Sequence, residues 1–201
     1  MKPQALMICA LLAGTMAPSL AGAEGNVNFT IGLRDVDNDI WHPVDNQLSG
    51  GVNVDWGRLG APVRLSVGLH FSEGKEHGPG PGLFGFLAPV VEVEGKIREL
   101  SVGAEKIWNP RESTARPFIG GGVAHVMAKI REARTGLSDR DDSIGYYLRG
   151  GIFWANGEDR PGPLINYGLE IRLLTGTDIE FRGVKGDADY VQYGFLFGVG
   201  W

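Results

Sequence analysis

The stretch Val191-Gln192-Tyr193-Gly194-Phe195-Leu196-Phe197-Gly198-Val199-Gly200-Trp201 decides the fold. Taken two at a time, Val191, Tyr193, Phe195, Phe197, Val199 and Trp201 form one apolar, aromatic face. Gln192, Gly194, Leu196, Gly198 and Gly200 form the other. Successive side chains point to opposite faces only in an extended chain, so a period of two is the mark of a strand. The pattern recurs upstream. Ile165, Tyr167, Leu169, Ile171 and Leu173 oppose Asn166, Gly168, Glu170 and Arg172. Val63, Leu65, Val67, Leu69 and Phe71 oppose Arg64, Ser66, Gly68, His70 and Ser72. Val27, Phe29, Ile31 and Leu33 oppose Asn28, Thr30, Gly32 and Arg34.

Four further segments carry the pattern less cleanly. Residues 48–56 set Val52, Val54 and Trp56 against Ser49, Asn53 and Asp55. Residues 90–108 begin with Val91, Val93 and Ile97 against Glu92, Glu94, Lys96 and Arg98. The apolar set then moves to Leu100, Val102 and Ala104. That slip predicts a β-bulge near Arg98-Glu99. Residues 117–131 set Phe118, Ala124, Val126 and Ile130 against His125, Met127, Lys129 and Arg131, and residues 144–154 set Ile144, Tyr146, Leu148, Ile152 and Trp154 against Tyr147, Arg149 and Gly151. The expectation is all-β, an eight-stranded antiparallel up-and-down barrel. Short Gly/Pro/Asn-rich turns at 57–62, 109–116 and 156–163 alternate with long connections at 35–47, 73–89, 132–143 and 176–189. Turns then lie at one end together with both termini, and loops at the other.

Composition agrees with an exported, single-domain chain. There are 32 glycines among 201 residues, one cysteine, 21% charged residues and a net charge of −5. A disulfide framework is excluded, and no basic run marks nucleic acid as a partner. Residues 1–23 read as a cleaved signal peptide: Lys2, an apolar run from Ala5 to Ala13, and the cleavage site Ala21-Gly22-Ala23. The barrel domain is expected over 24–201. Cys9 leaves with the signal, and no cofactor or resident metal is called for.

Alternation alone does not say which face meets which solvent. A soluble barrel hides its apolar face, and a transmembrane barrel exposes it. Apolar runs of about nine residues match a tilted strand crossing a bilayer. Trp56, Trp108, Trp154 and Trp201 all fall at the short-turn end, as an interfacial girdle would. Most glycines fall on the polar face, leaving room in a narrow lumen for large side chains. These features favour the transmembrane arrangement.

Gln192, Gly194, Phe197, Val199 and the terminal Trp201 resemble the C-terminal assembly signal of bacterial outer-membrane proteins: a polar residue, a glycine, then alternating apolar positions ending in an aromatic. Trp201 departs from the commoner final phenylalanine. Arg116-Pro117-Phe118-Ile119-Gly120-Gly121-Gly122-Val123 is similar to the start of the fifth strand in small barrels of this kind. The whole chain thus resembles the small eight-stranded outer-membrane barrels of the OmpA/OmpX/OmpW type. The resemblance implies a bacterial outer-membrane address with periplasmic termini. It also implies periplasmic chaperones and the barrel assembly machinery as partners, and contact with outer-membrane lipids and lipopolysaccharide.

The inward face is expected to carry Arg34, Arg64, Lys96, Arg98, Lys129, Arg149 and Arg172 against Asp55, Glu92, Glu94, Glu105 and Glu170. In so narrow a lumen these charges must pair, because an isolated buried charge is very costly. The principal expectation is a salt-bridged plug with a structural or surface-interaction role. A narrow transport barrel for small solutes is the alternative, with weak anion preference from the basic excess. A lipid A-modifying hydrolase is a third reading. His70 and Ser72 share a strand face near the loop end, a base beside a hydroxyl, although the flanking residues differ from those of the lipid A deacylases and both side chains are expected inside. Asp35-Val36-Asp37-Asn38-Asp39 resembles the opening of a calcium loop. Its sixth position is Ile40 and its twelfth Asn46, so an EF-hand is not expected. Asp139, Asp141 and Asp142 read likewise as solvated acids. Leu83-Phe84-Gly85-Phe86-Leu87 is an apolar loop segment expected to fold over the mouth, enter the leaflet or meet a partner.

Overall fold

The computed structural model describes residues 23–37, 39–58, 62–79, 90–108, 114–132, 136–156 and 164–201. The strands are β1 Ala23–Val36, β2 Asn46–Arg58, β3 Arg64–Pro79, β4 Val90–Ile107, β5 Ala115–Glu132, β6 Ser138–Asn156, β7 Leu164–Thr175, β8 Ile179–Phe181, β9 Val184–Gly186 and β10 Tyr190–Gly200. Eight of them close a barrel in the order β1-β10-β7-β6-β5-β4-β3-β2. Every pairing is antiparallel. The seam joins β1 to β10 from Asn26 opposite Gly200 to Val36 opposite Tyr190. The expected eight-stranded up-and-down barrel is the fold. Residues 1–22 of the expected signal peptide and the apolar stretch Leu83–Leu87 lie outside the described residues, and Ala23 opens β1.

The outer face is the apolar set. Leu33, Ile144 and Phe195 are each 67% exposed, and Leu69, Leu169, Ile171 and Phe197 stand out beside them. A continuous apolar belt around a closed surface would be ruinous in water and is what hydrocarbon requires. Five alternate positions, such as Ile165 to Leu173, climb about 20–25 Å at the strand rise and tilt of such barrels. At the lower end Trp201 exchanges backbone hydrogen bonds with Gly25, Trp56 lies opposite Gly25, and Trp154 stacks on Tyr167 with centroids 5.8 Å apart. Strands β2, β4 and β6 end, and β3, β5 and β7 begin, at this same end.

Strands β4, β5 and β6 run to 18, 18 and 19 residues, well beyond the 9–11 that cross a bilayer. Their upper halves stand clear of the belt, and there both faces change character. The outward side chains become Glu94, Lys96, Arg98, Lys129, Arg131, Arg140 and Asp142. The inward ones become Ile97, Ala124, Val126 and Ala128, all buried. The bulge expected at Arg98-Glu99 is therefore absent. β3 and β4 stay in one register from Arg64 opposite Glu105 to Pro79 opposite Val90, and β4 and β5 from Val93 opposite Glu132 to Ile107 opposite Phe118. The slip in hydropathy marks where the strand leaves the membrane. Most of the connection expected over 132–143 is strand for the same reason.

The upper mouth is stopped by an apolar core. Val36, Trp41, Val44, Ile97, Val126, Ala128, Tyr147, Leu174, Ile179, Phe181, Ala188 and Tyr190 pack together. Trp41 and Val44 come from the β1–β2 connection, and Ile179, Phe181 and Ala188 from the connection between β7 and β10. Trp41 is fully buried, edge-on to Phe181 at 5.7 Å, and its Nε1 donates to the Asp187 carbonyl at 2.8 Å.

Candidate functional site

Below this stopper the lumen is a stack of charged and polar layers. In the upper layer the carboxylate of Glu99 faces Arg172 and Tyr190. Arg172 Nη2 donates to Glu99 Oε1, Tyr190 donates its hydroxyl to Glu99 Oε2 at 2.5 Å, and Arg172 Nε donates to that hydroxyl at 3.0 Å. Arg34 lies over the Tyr190 ring at 3.7 Å, donates to Gln192 Oε1 through Nε and Nη2, and stands 3.9 Å from Glu99 Oε2. Above this layer Ser72 Oγ donates to Gln47 Oε1 at 2.5 Å.

The middle layer is Arg149 between two carboxylates, 2.5 Å from Glu170 Oε2 and 3.2 Å from Glu105 Oε2. Arg149 and Arg172 are directly opposite on β6 and β7, an arrangement of like charges that costs energy unless each finds a counter-ion. They turn to different carboxylates, Arg172 to Glu99 and Arg149 to Glu105 and Glu170. In the lowest layer Arg64 bridges Asp55 at 3.1 Å and Glu24 at 2.7 Å. Asn26 Nδ2 donates to both Asp55 oxygens, and Asn166 Nδ2 to Asn26 and Asn28. Phe118, Phe153, Ala155 and Leu196 fill the rest of that end. Small residues make the space: a Cβ on Gly103 would collide with the Tyr147 hydroxyl, and one on Gly51 with the His70 ring.

Of the expected lumen residues, Arg34, Asp55, Arg64, Glu105, Arg149, Glu170 and Arg172 lie inside and are brought together in these layers. Lys96, Arg98 and Lys129 do not; they are on the outer surface above the belt, as is Glu94. The side chain of Glu92 lies outside the described residues. Glu94 and Glu73 hold Lys75 and Lys96 in an exposed rim cluster at 2.8–3.6 Å. The hydrogen bond from Lys96, with a further one from Lys75, lowers the Glu94 carboxyl to about 2 despite partial desolvation. The reason for the error on β4 and β5 is common to all four: outside the membrane the polar side of a strand is its outer side. Ala124 and Val126, expected outside, face inward on the same account; Phe118, also expected outside, faces inward near the turns, where it packs on Phe153 beside the Arg149 guanidinium.

Glu99, Tyr190, Gln192 and Gln47 complete the network, and the sequence reading of the lumen omitted Glu99. Unbroken parity from Glu105 through Gly103 and Ser101 would have found it. Gln192 and Gly194 of the C-terminal motif point inward, and Phe197, Val199 and Trp201 outward. Phe197 stacks on Phe29 across the seam at 5.4 Å.

His70 and Ser72 both face the lumen, closed off from lipid. No hydrogen bond joins them among the described residues, because Ser72 is spent on Gln47. No group of three or more His, Cys, Asp or Glu side chains among the described residues is placed to hold a metal.

At the top, β8 and β9 form a hairpin whose turn, Arg182-Gly183, has positive φ at both residues (52° and 80°), the primed geometry that matches strand twist. The hairpin is moored to β6 by side chains. Asp139 accepts from the Arg182 N–H, Asp141 from the Glu180 N–H, and the Ser143 hydroxyl from the Asp178 N–H, at 2.7–2.9 Å. Asp139 and Asp141, expected to be merely solvated, thus stand in for a partner strand. At the hairpin's base Asp189 accepts from Thr175, Gly176 and Thr177. Partial burial pushes its carboxyl up, but these hydrogen bonds outweigh that and hold it below its ordinary value of 3.8.

No protein-family model and no curated protein matches the chain. Among solved structures, Neisserial surface protein A superposes with a TM-score of 0.55 at 11% identity, over 90% of this chain and 96% of that one. The fold is that of a small outer-membrane β-barrel. Two further barrels match with TM-scores of 0.49. They are the attachment invasion locus protein Ail of Yersinia pestis (13% identity, 89% of this chain, 99% of that one) and a major outer membrane protein from Thermus thermophilus (14%, 89% and 98%). At such identities the fold is what this small outer-membrane barrel has in common with them.

Proposed function

We propose that this chain is a rigid, non-conducting barrel of the bacterial outer membrane with a structural or surface-interaction role. The observation that carries this reading is the filled lumen, apolar at the top and ion-paired below. The wide, moored last loop supports a cell-surface orientation for the upper end, which makes the termini periplasmic. The assignment of Gln192, Gly194, Phe197, Val199 and Trp201 as an assembly signal belongs to the same reading, as do a signal peptide over 1–23, periplasmic chaperones and the assembly machinery. Catalysis is not part of it: Ser72 has no base, and its lumen is shut to lipid.

Single-channel recording in planar bilayers tests the proposal. The purified barrel should give no steady openings. Openings above the empty-bilayer baseline overturn it in favour of narrow solute transport. Radiolabelled lipid A left unchanged by the protein, with Ser72→Ala as the control, disposes of the hydrolase alternative.

A further inference from the structure

The charges that proved to be outside the lumen form a pattern of their own. Lys96 is directly opposite Lys129, and Lys129 directly opposite Arg140, so three cations run in one row across β4, β5 and β6. Arg98 lies one alternation below the row and Arg131 one above. Like charges placed opposite each other on a sheet repel. Of the row, the local acids pair only with Lys96, which Glu94 and Glu73 hold together with Lys75; Asp139 accepts from the Arg182 and Arg140 backbone N–H groups, and Asp142 faces His125 at 3.1 Å. Arg98, Lys129, Arg131 and Arg140 are exposed and form no ion pair among the described residues. A groove of about 280 Å³ opens between them, lined by Lys96, Arg98, Lys129 and Arg140 against a single acid, Asp139.

The height of the row says what should fill it. Arg98 follows Leu100, the last apolar outward residue of β4, and the row stands one further alternation up. At about 3.4 Å per residue and a tilt near 40°, that is roughly 5 Å per alternation. The polar layer of a bilayer is about 5–7 Å thick on each side. Met127, partly exposed beside Arg98, continues the apolar belt into the groove floor. The cations are therefore at headgroup level and contiguous with the acyl-chain surface.

We propose that this outward face of β4–β5–β6 is a binding site for the phosphate groups of an outer-leaflet glycolipid. Lys129 and Arg140 form its centre, Arg98 reaches up from the acyl boundary, and the lipid's chains lie along Leu100 and Val123. The assignment of the leaflet rests on the surface orientation proposed above.

Native mass spectrometry of the folded full chain in nonionic detergent, titrated with bis-phosphorylated lipid A, tests the site. Lys129→Gln/Arg140→Gln should weaken binding about tenfold or more, while Arg182→Gln/Lys185→Gln, which removes equal charge from the hairpin, should stay within about twofold. Heat-modifiable gel migration verifies that both variants are folded. Dephosphorylated lipid A should bind as weakly as the site variant, and millimolar inorganic phosphate should not displace the lipid. Equal binding by wild type and site variant overturns the proposal. So does displacement by inorganic phosphate alone. A Ser138→Cys variant left unlabelled by an impermeant thiol reagent on intact cells overturns the orientation, and with it the outer leaflet. Labelling with no effect of the site variant overturns the site alone.

Discussion

On β4, Glu99 and Ile97 are consecutive inward side chains, both essentially inaccessible, yet they belong to different interiors. Glu99 is held by the guanidinium of Arg172 and the phenol of Tyr190, with Arg34 beside it, whereas Ile97 belongs to the apolar cluster of Trp41, Val44 and Val126. The outer surface reverses in the same interval, from Leu100 to Arg98. The ion-paired interior lies where the outside is lipid, apart from the small cluster of Phe118, Phe153, Ala155 and Leu196 near the turns, and the larger apolar interior lies where the outside is water. In the membrane the belt outside already supplies the apolar contact, and a ladder of directional ion pairs fixes the lumen. Above it, the hydrophobic effect is available again and builds an ordinary core.

Substitutions at the boundary test that contrast. The largest effect is expected for Glu99→Ala, which leaves Arg172 and Arg34 without their carboxylate: a loss of about 3–5 kcal/mol in urea unfolding in vesicles. A loss below about 1 kcal/mol would mean that the ladder is ornamental. Leu169→Arg, at mid-depth on the lipid side, should cost roughly 2–4 kcal/mol, whereas Asn46→Arg, on the same outer surface beyond the belt, should stay within about 0.5 kcal/mol. Similar costs at both positions would erase the distinction between the two outer surfaces.

Smaller effects belong to the moored loop. Asp189→Ala should cost about 1–2 kcal/mol and raise amide exchange across 176–189, with the barrel strands unmoved. Since hydrogen bonding holds the Asp189 carboxyl below its unfolded value, its contribution is complete above that value. It is lost as pH falls through the lower, folded one. Loop exchange in the wild type should therefore rise on acidification below the ordinary aspartate range, and Asp189→Asn should remove that dependence. Smallest is Arg182→Gly. It relieves a non-glycine residue at positive φ and should stabilise the hairpin by about 0.5–1 kcal/mol, measured by the same exchange.

Much of the barrel was legible because lipid and lumen impose opposite demands on adjacent residues. Val191 to Trp201, Ile165 to Leu173 and Val63 to Phe71 each carry that contrast, and each is a strand. The alternation of long and short connections was legible from spacing, although β3 and β6 run well into the stretches read as the connections 73–89 and 132–143. What misled was the same rule carried past its domain. On 90–98 and 124–131 the inside is apolar and the outside aqueous, so parity read from hydropathy points the wrong way, and Lys96, Arg98 and Lys129 were turned inward. The β8–β9 hairpin was not legible, since strands of three residues, Ile179-Glu180-Phe181 and Val184-Lys185-Gly186, are too short to establish a hydrophobic period. Its stability comes from carboxylates on β6.

Those carboxylates grip amide groups, which every residue but proline possesses. The side chains of Asp178, Glu180 and Arg182 are all exposed and take no part in the mooring. The β8–β9 hairpin is thus fastened in a way that is blind to what it displays. Its tip can change sign, size or polarity under outside pressure while Asp139, Asp141 and Ser143 keep the same hold, so novelty at the exposed tip need not disturb the wall beneath it.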